Sequence, residues 1–402
     1  MTVRTEAAER RDEEGRILEV PSSREYKYYP ELLTDDEEGS SQITISDAPT
    51  LHLAAVAESG GHTRMLFLLD GGADVNARDE EGRTPLHVVL ESCSHNVILR
   101  SRILLQHGAD PNAEDNDGFT PLDAVFQREG EPELELLIDL LLSYGADPNL
   151  PFLGEEENSL LHWATQKDNF HLVNKLLNKR ADANRKNAKG ETPLHFAVRT
   201  SGSDLSVMAL LLDKGGADPC VTDNQGMTPL MTMCSHDYSY ADRTDIIDLL
   251  LCYVSPPKTL YINARDKARR NALMYAGTKL YGARQVQHLL KLGADPFQLD
   301  SEGANILLHI TKKSVSKDAL DAFETLVQNG VDANCTDNTG KTALHYMAIR
   351  NVPIAEAMPV LLTCGVDLYR KDHSGKIPLM YACMKSDPTN TYILLQAMVG
   401  YS

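Results

Sequence analysis

One four-residue phrase recurs about every 35 residues of this 402-residue chain, and this repetition constrains the fold more than any other feature. The phrase is clearest at Thr84-Pro85-Leu86-His87 and at Thr192-Pro193-Leu194-His195. With divergent copies included, its leucine stands at ten marker positions: Leu51, Leu86, Leu122, Leu161, Leu194, Leu230, Leu273, Leu307, Leu344 and Leu379. Neighbouring markers lie 33 to 43 residues apart. Stacked repeats of this length form extended surfaces rather than enclosed pockets.

A second phrase, Gly-Ala-Asp, keeps a fixed phase with the first, as at Gly108-Ala109-Asp110. Threonine can cap a helix start with its hydroxyl, and proline suits the first helical position because it has no N–H to lose. Apolar residues then recur at helical spacing, and Gly108 supplies a left-handed residue that ends the second helix. Asp, Asn and Gly build a tight turn towards the next unit. Each unit is therefore predicted to contain a turn, a short helix, a reversal and a second helix.

The chain resembles the ankyrin repeat family, because the Gly-x-Thr-Pro-Leu-His and Gly-Ala-Asp phrases keep that family's phase over about ten units. The resemblance implies an all-α solenoid of stacked helix-turn-helix units with β-hairpin-like turns. It also implies a concave face, lined by hairpin tips and inner helices, that usually binds partner proteins. We predict a disordered acidic tail over residues 1–45 and an ankyrin repeat domain over residues 46–402.

A few positions depart from the repeat pattern. Arg269 stands where most units carry glycine, and a side chain tolerates a left-handed turn poorly, so the seventh hairpin is predicted to have a different shape. Glu157 replaces the same glycine in the fourth unit, and Arg180 replaces a helix-ending glycine. The longest step between markers runs through Ser255-Pro256-Pro257-Lys258. The stack is expected to be least regular at these places.

Composition restricts the partner and the compartment. A net charge of −19 argues against nucleic acid or an anionic membrane as the main partner. No apolar run reaches 18 residues, so we expect no insertion into a membrane. Seven scattered cysteines without a CxxC pair are typical of reduced thiols. They favour a cytoplasmic protein, with the nucleus left open as a second location. We expect a monomer.

The predicted tail contains one apolar interval among its acidic runs: Tyr26, Tyr28, Tyr29, Pro30, Leu32 and Leu33. Two interpretations stay open for this interval. It can dock on the first repeat as a cap, or it can serve as a short linear motif for a partner.

Five histidines occupy the same place in different units: His52, His87, His162, His195 and His345. A metal needs ligands that converge on one point, so we expect these side chains to make hydrogen bonds around the turns between repeats instead. The chain has no nucleotide-binding glycine loop, no nucleophile elbow and no kinase signature. It is therefore predicted to be a non-enzyme that needs no cofactor and no metal.

Two basic groups interrupt the otherwise acidic hairpin tips. The first comprises Arg185, Lys186 and Lys189, close to Arg180, and the second comprises Arg265, Lys267, Arg269 and Arg270. Ordinary solvated turns would explain both groups. The functional interpretation is a landing site for an acidic segment of a protein partner, held at the seventh hairpin.

A row of side chains two residues after each marker leucine becomes nearly all aromatic from the fourth unit onward. The aromatic members are Trp163, Phe196, Tyr275, Tyr346 and Tyr381. Packing between repeats would account for them. The alternative is an apolar groove beside the basic tips, with the aromatic side chains as anchors for a partner.

Asparagines close most of the predicted hairpins, where turn hydrogen bonding explains them: Asn76, Asn112, Asn149, Asn184, Asn263 and Asn334. Their context is similar to ankyrin asparagines that an oxygen-sensing hydroxylase modifies. The leading hypothesis for the whole chain is a scaffold or adaptor that binds a partner protein through the concave face. The alternatives are an ankyrin-type cytoplasmic inhibitor of a transcription factor and a pathogen effector that binds a host protein.

Overall fold

A computed structural model describes most of the repeat region of the chain. The described residues are 50–57, 60–92, 96–126, 133–150, 156–200, 204–236, 243–279, 282–313, 317–350, 354–385 and 388–400. The predicted tail over residues 1–45, with its apolar interval, lies outside them. The region from Pro49 to Ser402 forms one compact unit.

Helices make up all the regular structure of the described ranges, as the repeat pattern predicts, and 20 of the 21 helices form ten consecutive pairs. The pairs are α1 (Thr50–Val56) with α2 (Gly61–Asp70), α3 (Pro85–Ser92) with α4 (Val97–Gln106), α5 (Pro121–Phe126) with α6 (Leu134–Ser143), α7 (Leu160–Gln166) with α8 (Phe170–Asn178), α9 (Pro193–Thr200) with α10 (Ser206–Asp213), α11 (Pro229–Ser235) with α12 (Thr244–Cys252), α14 (Ala272–Gly277) with α15 (Ala283–Lys291), α16 (Ile306–Lys313) with α17 (Lys317–Gln328), α18 (Ala343–Arg350) with α19 (Ile354–Thr363), and α20 (Pro378–Cys383) with α21 (Thr389–Gly400).

The core of the stack runs along its whole length. First helices pack on first helices, as α7 on α9 and α18 on α20, and second helices on second helices, as α8 on α10. Nine of the ten marker leucines are buried, whereas Leu379 of the tenth unit is half-buried. One helix pair alone leaves an apolar face in water, so each unit depends on its neighbours for burial.

The turns between units are hairpins held by backbone hydrogen bonds. In the second unit the N–H of Asp79 donates to the carbonyl of Arg83, and the N–H of Gly82 donates to the carbonyl of Asp79, both at 3.0 Å. The N–H of Asn116 in the next hairpin donates to the carbonyl of Glu81 at 2.9 Å. These bonds join successive hairpins into a ladder.

The predicted distortion of the seventh hairpin is wrong. Arg269 adopts the left-handed conformation, with φ of 60°, that glycine adopts in other hairpins. The same turn bonds form, from Arg269 to Asp266 and from Asp266 to Arg270, each 2.9 Å long. Lys267 continues the ladder by donating its N–H to Gln225, also at 2.9 Å. The shape survives because these bonds outweigh the cost of about 1–2 kcal/mol of a left-handed side-chain residue.

The residues at the other two departures, Glu157 and Arg180, also adopt the left-handed conformation of the glycine that they replace. Glu157 and Arg180 have φ of 50° and 65°. After Arg180, the N–H of Ala181 still donates to the carbonyl of Leu176 at 3.0 Å, as glycine-ended helices do. The prediction of irregularity is therefore wrong at Arg180, whereas at Glu157 the structure shows the conformation of the replaced glycine.

The longest step between markers accommodates one additional short helix, α13 (Lys258–Ile262). It stands where other units carry the Gly-Ala-Asp phrase. Asn263 follows it directly and donates to the carbonyl of Gly293 at 3.0 Å, so the regular ladder resumes at once.

Candidate partner-binding surface

The seventh hairpin gathers its four predicted cations within six residues. Arg265, Lys267 and Arg269 are exposed, whereas Arg270 is half-buried. The side chain of Arg265 donates to the carbonyl of Arg269 at 3.0 Å and to the carbonyl of Leu299 in the next hairpin. Arg265 therefore bridges the seventh and eighth units.

The side chain of Arg270 contacts residues of the stack itself and is therefore less available to a partner. Its Nε lies 3.6 Å from a carboxylate oxygen of Asp300, whose side chain is fully buried. The same oxygen lies 2.9 Å from Nε2 of His309. Burial opposes ionisation of Asp300, but hydrogen bonds from His309 and from the N–H of Ala304 lower the pKa of this carboxyl to about 2.

Bridging of this kind occurs at the position eight residues before three of the markers. Arg78 donates to the carbonyl of Glu114 at 2.7 Å, and Lys186 donates to the carbonyl of Thr222 at 2.6 Å. Arg265 is the third member of this set. A cation at this position therefore stabilises the junction between two hairpins, whatever else it does.

The first predicted basic group is mostly engaged within the stack. Lys189 forms an ion pair with Glu156 of the preceding hairpin. This contact holds the pKa of the Glu156 carboxyl below its usual range. Arg185 is half-buried, and Lys186 makes the bridge described above. Of the two predicted groups, the seventh hairpin leaves more positive charge exposed.

The tyrosines of the aromatic row bind carboxylates of their own hairpins. Tyr275 donates to Asp266 at 2.5 Å, Tyr381 donates to Asp372 at 2.6 Å, and Tyr346 donates to Asp337. The carboxylates raise the pKa of these hydroxyls, with burial the larger cause for Tyr275 and Tyr346. Each pair spans nine residues and ties a first helix to its hairpin.

The remaining aromatic side chains pack across junctions between units. Trp163 meets the ring of Phe126 edge-on, with centroids 5.1 Å apart, and Phe196 meets His162 at 5.3 Å. Arg199 lies 4.8 Å over the ring of Phe196. The whole row thus contributes to packing between and within units, and its role as a set of partner anchors stays a prediction.

The phrase histidines make the hydrogen bonds that the sequence predicts. Nδ1 of His162 accepts from the N–H of Ser159 at 3.1 Å, while Nε2 lies 3.0 Å from the carbonyl of Glu191 in the next unit. His52, His87, His195 and His345 likewise reach a carbonyl of the following hairpin. Burial lowers the pKa of His162 to about 4, because the charged ring would lose its hydration, and the hydrogen bond to the carbonyl of Glu191 only partly opposes this shift.

Two exposed apolar side chains of the eighth hairpin were not singled out by sequence reasoning. Phe297 is 61% exposed and Leu299 is 43% exposed, and the carbonyl of Leu299 accepts from Arg265. A signal for Phe297 exists in the sequence, since it occupies the asparagine position of the ladder. We define the hairpin 7–8 surface as Arg265, Lys267, Arg269, Phe297 and Leu299.

Comparison with protein families decides the identity of the repeat. The family model of ankyrin repeats, built as three copies, matches residues 51–151, 125–223, 161–266 and 308–400, which together exceed half of the chain. The chain belongs to the ankyrin repeat family. The all-α ankyrin solenoid predicted from the two phrases is therefore confirmed.

Several curated proteins share this ankyrin region. Rabankyrin-5 of Mus musculus is 30% identical over 44% of this chain and 14% of its own length. Palmitoyltransferase AKR1 of Kluyveromyces lactis is 31% identical over 42% of this chain and 22% of its own length. Neurogenic locus notch homolog protein 1 of Danio rerio is 32% identical over 36% of this chain and 6% of its own length. The chain spans less than a third of each of these relatives.

Among solved structures, the crystal structure of the ankyrin repeat domain of Bcl-3, described as a unique member of the IkappaB protein family, is similar to this chain. It is 28% identical, has a TM-score of 0.46, and covers 60% of this chain and all of its own. Ankyrin repeats in general mediate protein–protein interaction. In the part of this ankyrin chain that the structure describes, no helix is long and apolar enough to cross a bilayer.

The ankyrin asparagines have the turn role that their position predicts. Asn76 donates to the carbonyl of Gly108 at 3.2 Å and accepts from the N–H of Asp110 at 2.8 Å. The other five make the same pair of bonds to the next unit: Asn112, Asn149, Asn184, Asn263 and Asn334. Cys220, Phe297 and Tyr369 replace asparagine in the sixth, eighth and tenth units. Hydroxylation of the asparagines stays a prediction.

Proposed function

We propose that this ankyrin stack is an interaction scaffold that binds an acidic segment of a partner protein at the hairpin 7–8 surface. The observation that carries the proposal is the exposure of Lys267 and Arg269 on the seventh hairpin and of Phe297 and Leu299 on the adjoining eighth hairpin, on a chain whose net charge is −19. Concentrated positive charge on an acidic molecule favours an acidic ligand, and adjacent apolar side chains favour one that also carries apolar residues.

The mechanism follows from the rigidity of the two hairpins. Lys267 is anchored to the sixth hairpin through its N–H, and Ser301 of the eighth hairpin donates its N–H to Ala268 at 2.9 Å. The surface is therefore ordered before a partner arrives, which lowers the entropic cost of binding. Lys267 and Arg269 steer the acidic segment, and Phe297 and Leu299 lose water-exposed area when it docks.

Catalysis is no part of this proposal. Three of the similar proteins are named as palmitoyltransferases or putative palmitoyltransferases, but each is matched over only a minor part of its own length. Ankyrin repeats typically serve as scaffolds, and the groups of the hairpin 7–8 surface suit binding.

The test is affinity purification from cells followed by mass spectrometry, with a charge-reversed variant, Lys267→Glu with Arg269→Glu. Arg265 and Arg270 stay unchanged, because their contacts with Leu299 and Asp300 stabilise the stack. We expect the recovered amount of at least one partner to fall by about tenfold or more, since charges at the rim of an interface govern the rate of association. Phe297→Ser should lower the recovery of the same partner.

The matched control is Arg370→Glu with Lys371→Glu, two exposed cations of the tenth unit. The control should retain the partner that the first variant loses. An unchanged partner set in the Lys267/Arg269 variant, with its thermal stability intact, would reject the hairpin 7–8 surface as the binding site.

A further inference from the structure

The hydrogen bonds that join one hairpin to the next are unevenly distributed along the stack. Four side chains hydrogen-bond the sixth hairpin to the fifth unit: Asn184, Lys186, His195 and Asn224. A backbone bond accompanies them, from the N–H of Asn224 to the carbonyl of Lys189 at 2.9 Å. Side chains at these four positions therefore hold this junction closed, in addition to the apolar packing of the helices.

The junction between the sixth and seventh hairpins lacks all four of these contacts. The corresponding residues are Cys220, Thr222, Met231 and Lys267. In the described part of the chain, none of these side chains bonds across the junction. Between residues 220–227 and 263–270, which are all described, one hydrogen bond remains: the N–H of Lys267 donates to the carbonyl of Gln225 at 2.9 Å.

The two junctions that follow are joined more fully. Three side chains bond the seventh unit to the eighth: Asn263, Arg265 and Asn271. Phe297 interrupts the asparagine ladder between the eighth and ninth units, but other side chains cross that junction: Asn305, Lys312 and Asn338. The sixth–seventh junction therefore has the fewest hydrogen bonds among the junctions whose hairpins the structure describes.

Apolar packing is the main contact that keeps the sixth–seventh junction closed. Helix α11 packs on α14, and Cys234 of α11 is fully buried. Cys234 holds the position of Phe126, whose ring packs on Trp163 of the following unit, so it lies on the side of α11 that meets the seventh unit. Between the second helices, His288 and Asp248 form a surface pair at 2.8 Å, and such pairs contribute little to stability.

We propose that the stack opens locally at the sixth–seventh junction, so that units one to six and units seven to ten move as two blocks. Local opening occurs where the fewest interactions must break, and it leaves the rest of the fold intact. The hairpin 7–8 surface stays whole, because both of its hairpins belong to the same block. The angle between the blocks can then adapt when a partner contacts both parts of the concave face.

Cys234 reports this opening, because its buried thiol becomes accessible when the junction separates. Burial raises the pKa of the thiol to about 12, which slows its reaction further in the closed state. The full chain is treated with iodoacetamide under native conditions, and mass spectrometry follows alkylation of the peptide that contains Cys234. The matched reporter is Val198→Cys, at the same position of the fifth unit, where Val198 is also fully buried. Cys234 should react about tenfold faster or more, because fewer bonds oppose opening at its junction.

Two substitutions restore bonds across the sixth–seventh junction. Met231→His completes the Thr-Pro-Leu-His phrase of the sixth unit, and Lys267→Asn supplies the amide that Asn224 provides one hairpin earlier. Together they should slow alkylation of Cys234 by about tenfold, since each net hydrogen bond changes such an equilibrium by roughly fivefold. The control pair, Met231→Leu with Lys267→Ala, changes the same side chains without adding a bond and should react like wild type.

Equal alkylation rates at Cys234 and at the Val198→Cys thiol would overturn the proposal, and so would a restored pair that reacts as fast as its control. The rate at Cys234 should depend on urea much less than global unfolding does, because opening one junction exposes less surface. An equal dependence would assign the reaction to unfolding of the whole stack and reject local opening. Lys267→Glu with Arg269→Glu should leave the rate unchanged, which separates this inference from the proposed function.

Discussion

Hairpins in the two halves of the stack share one backbone turn but hold its aspartate differently. In the second unit the carboxylate of Asp79 binds Arg83 of the same hairpin, with Nε at 3.0 Å. In the ninth unit Asp337 instead accepts from Tyr346 on its own first helix, and Lys312 of the preceding unit lies 3.2 Å away. A local ion pair early in the chain thus gives way to a contact that joins three elements.

The halves also differ in where their ionisable groups are buried. Burial lowers the pKa of four phrase histidines, and three of them lie in the second to fifth units: His87, His162 and His195, with His345 in the ninth. The aspartates with a lowered pKa all lie in the eighth to tenth units: Asp300, Asp337 and Asp372. One repeat backbone therefore carries two sets of groups that titrate over different pH ranges.

The largest predicted effect is that acid unfolds the two halves in different pH windows. A histidine whose folded pKa is depressed contributes stability fully above the unfolded pKa of about 6.5 and loses it as pH falls towards the folded value. For His162, with a folded pKa of about 4, the loss is about 3 kcal/mol. Hydrogen bonds keep the three aspartates ionised, so their contribution is present above about pH 4 and is lost as the pH falls, towards 2 for Asp300 and below that for Asp337 and Asp372.

Trp163 is the only tryptophan in the chain and lies in the fourth unit, so its fluorescence reports on the early half. An acid titration should show its signal changing at a higher pH than far-UV circular dichroism, which averages over all helices. The histidine variant His162→Gln should narrow the gap between the two transitions. Coincident transitions in wild type would show that the halves do not differ in this way.

A smaller effect is expected from deleting one hydroxyl of the late half. Tyr346→Phe removes the hydrogen bond to Asp337 and leaves the ring and its contact with Lys312, 4.8 Å from the centroid. We expect the free energy of unfolding, measured with urea, to fall by about 1 kcal/mol, because the acceptor is charged but the site is half-exposed. Tyr144→Phe, at an exposed position directly after α6, is the control and should change the free energy of unfolding by much less. Equal effects of the two variants would argue that the tyrosine–carboxylate pairs do not stabilise the late hairpins.

The smallest effect concerns the seventh hairpin, which keeps its shape without glycine. Arg269→Gly should stabilise the stack by about 0.5–1 kcal/mol, since relief of the left-handed strain exceeds the entropy lost by glycine. The reverse change, Gly82→Arg, should destabilise the second hairpin, because a Cβ there would lie 2.3 Å from Oδ1 of Asn116. Thermal unfolding of both variants checks the pair. A destabilised Arg269→Gly would mean that the arginine side chain contributes more than its backbone costs.

The repeat pattern predicted the helix pairs, the buried leucines and the histidine bonds, because each of these follows from residues that recur in phase. It failed at Arg269. The preference for glycine at positive φ is a property of a single residue, whereas hydrogen bonds within the hairpin and to its two neighbours decide the conformation here. It could not show that Arg270 is held by Asp300, since that contact joins two units. Exposure of Phe297 also depends on the stack, although its place among the asparagines was visible in the sequence.

The asparagine ladder has a mechanical consequence. When the two ends of such a stack are pulled apart, load passes from unit to unit through whatever bonds cross each junction. Asn184 supplies two side-chain bonds to the sixth unit, but the thiol of Cys220 cannot supply both of them to the seventh. Extension should therefore begin at the boundary between the sixth and seventh units or at that between the eighth and ninth, where Phe297 replaces the asparagine, and the chain should lengthen in steps whose order is set by these substitutions.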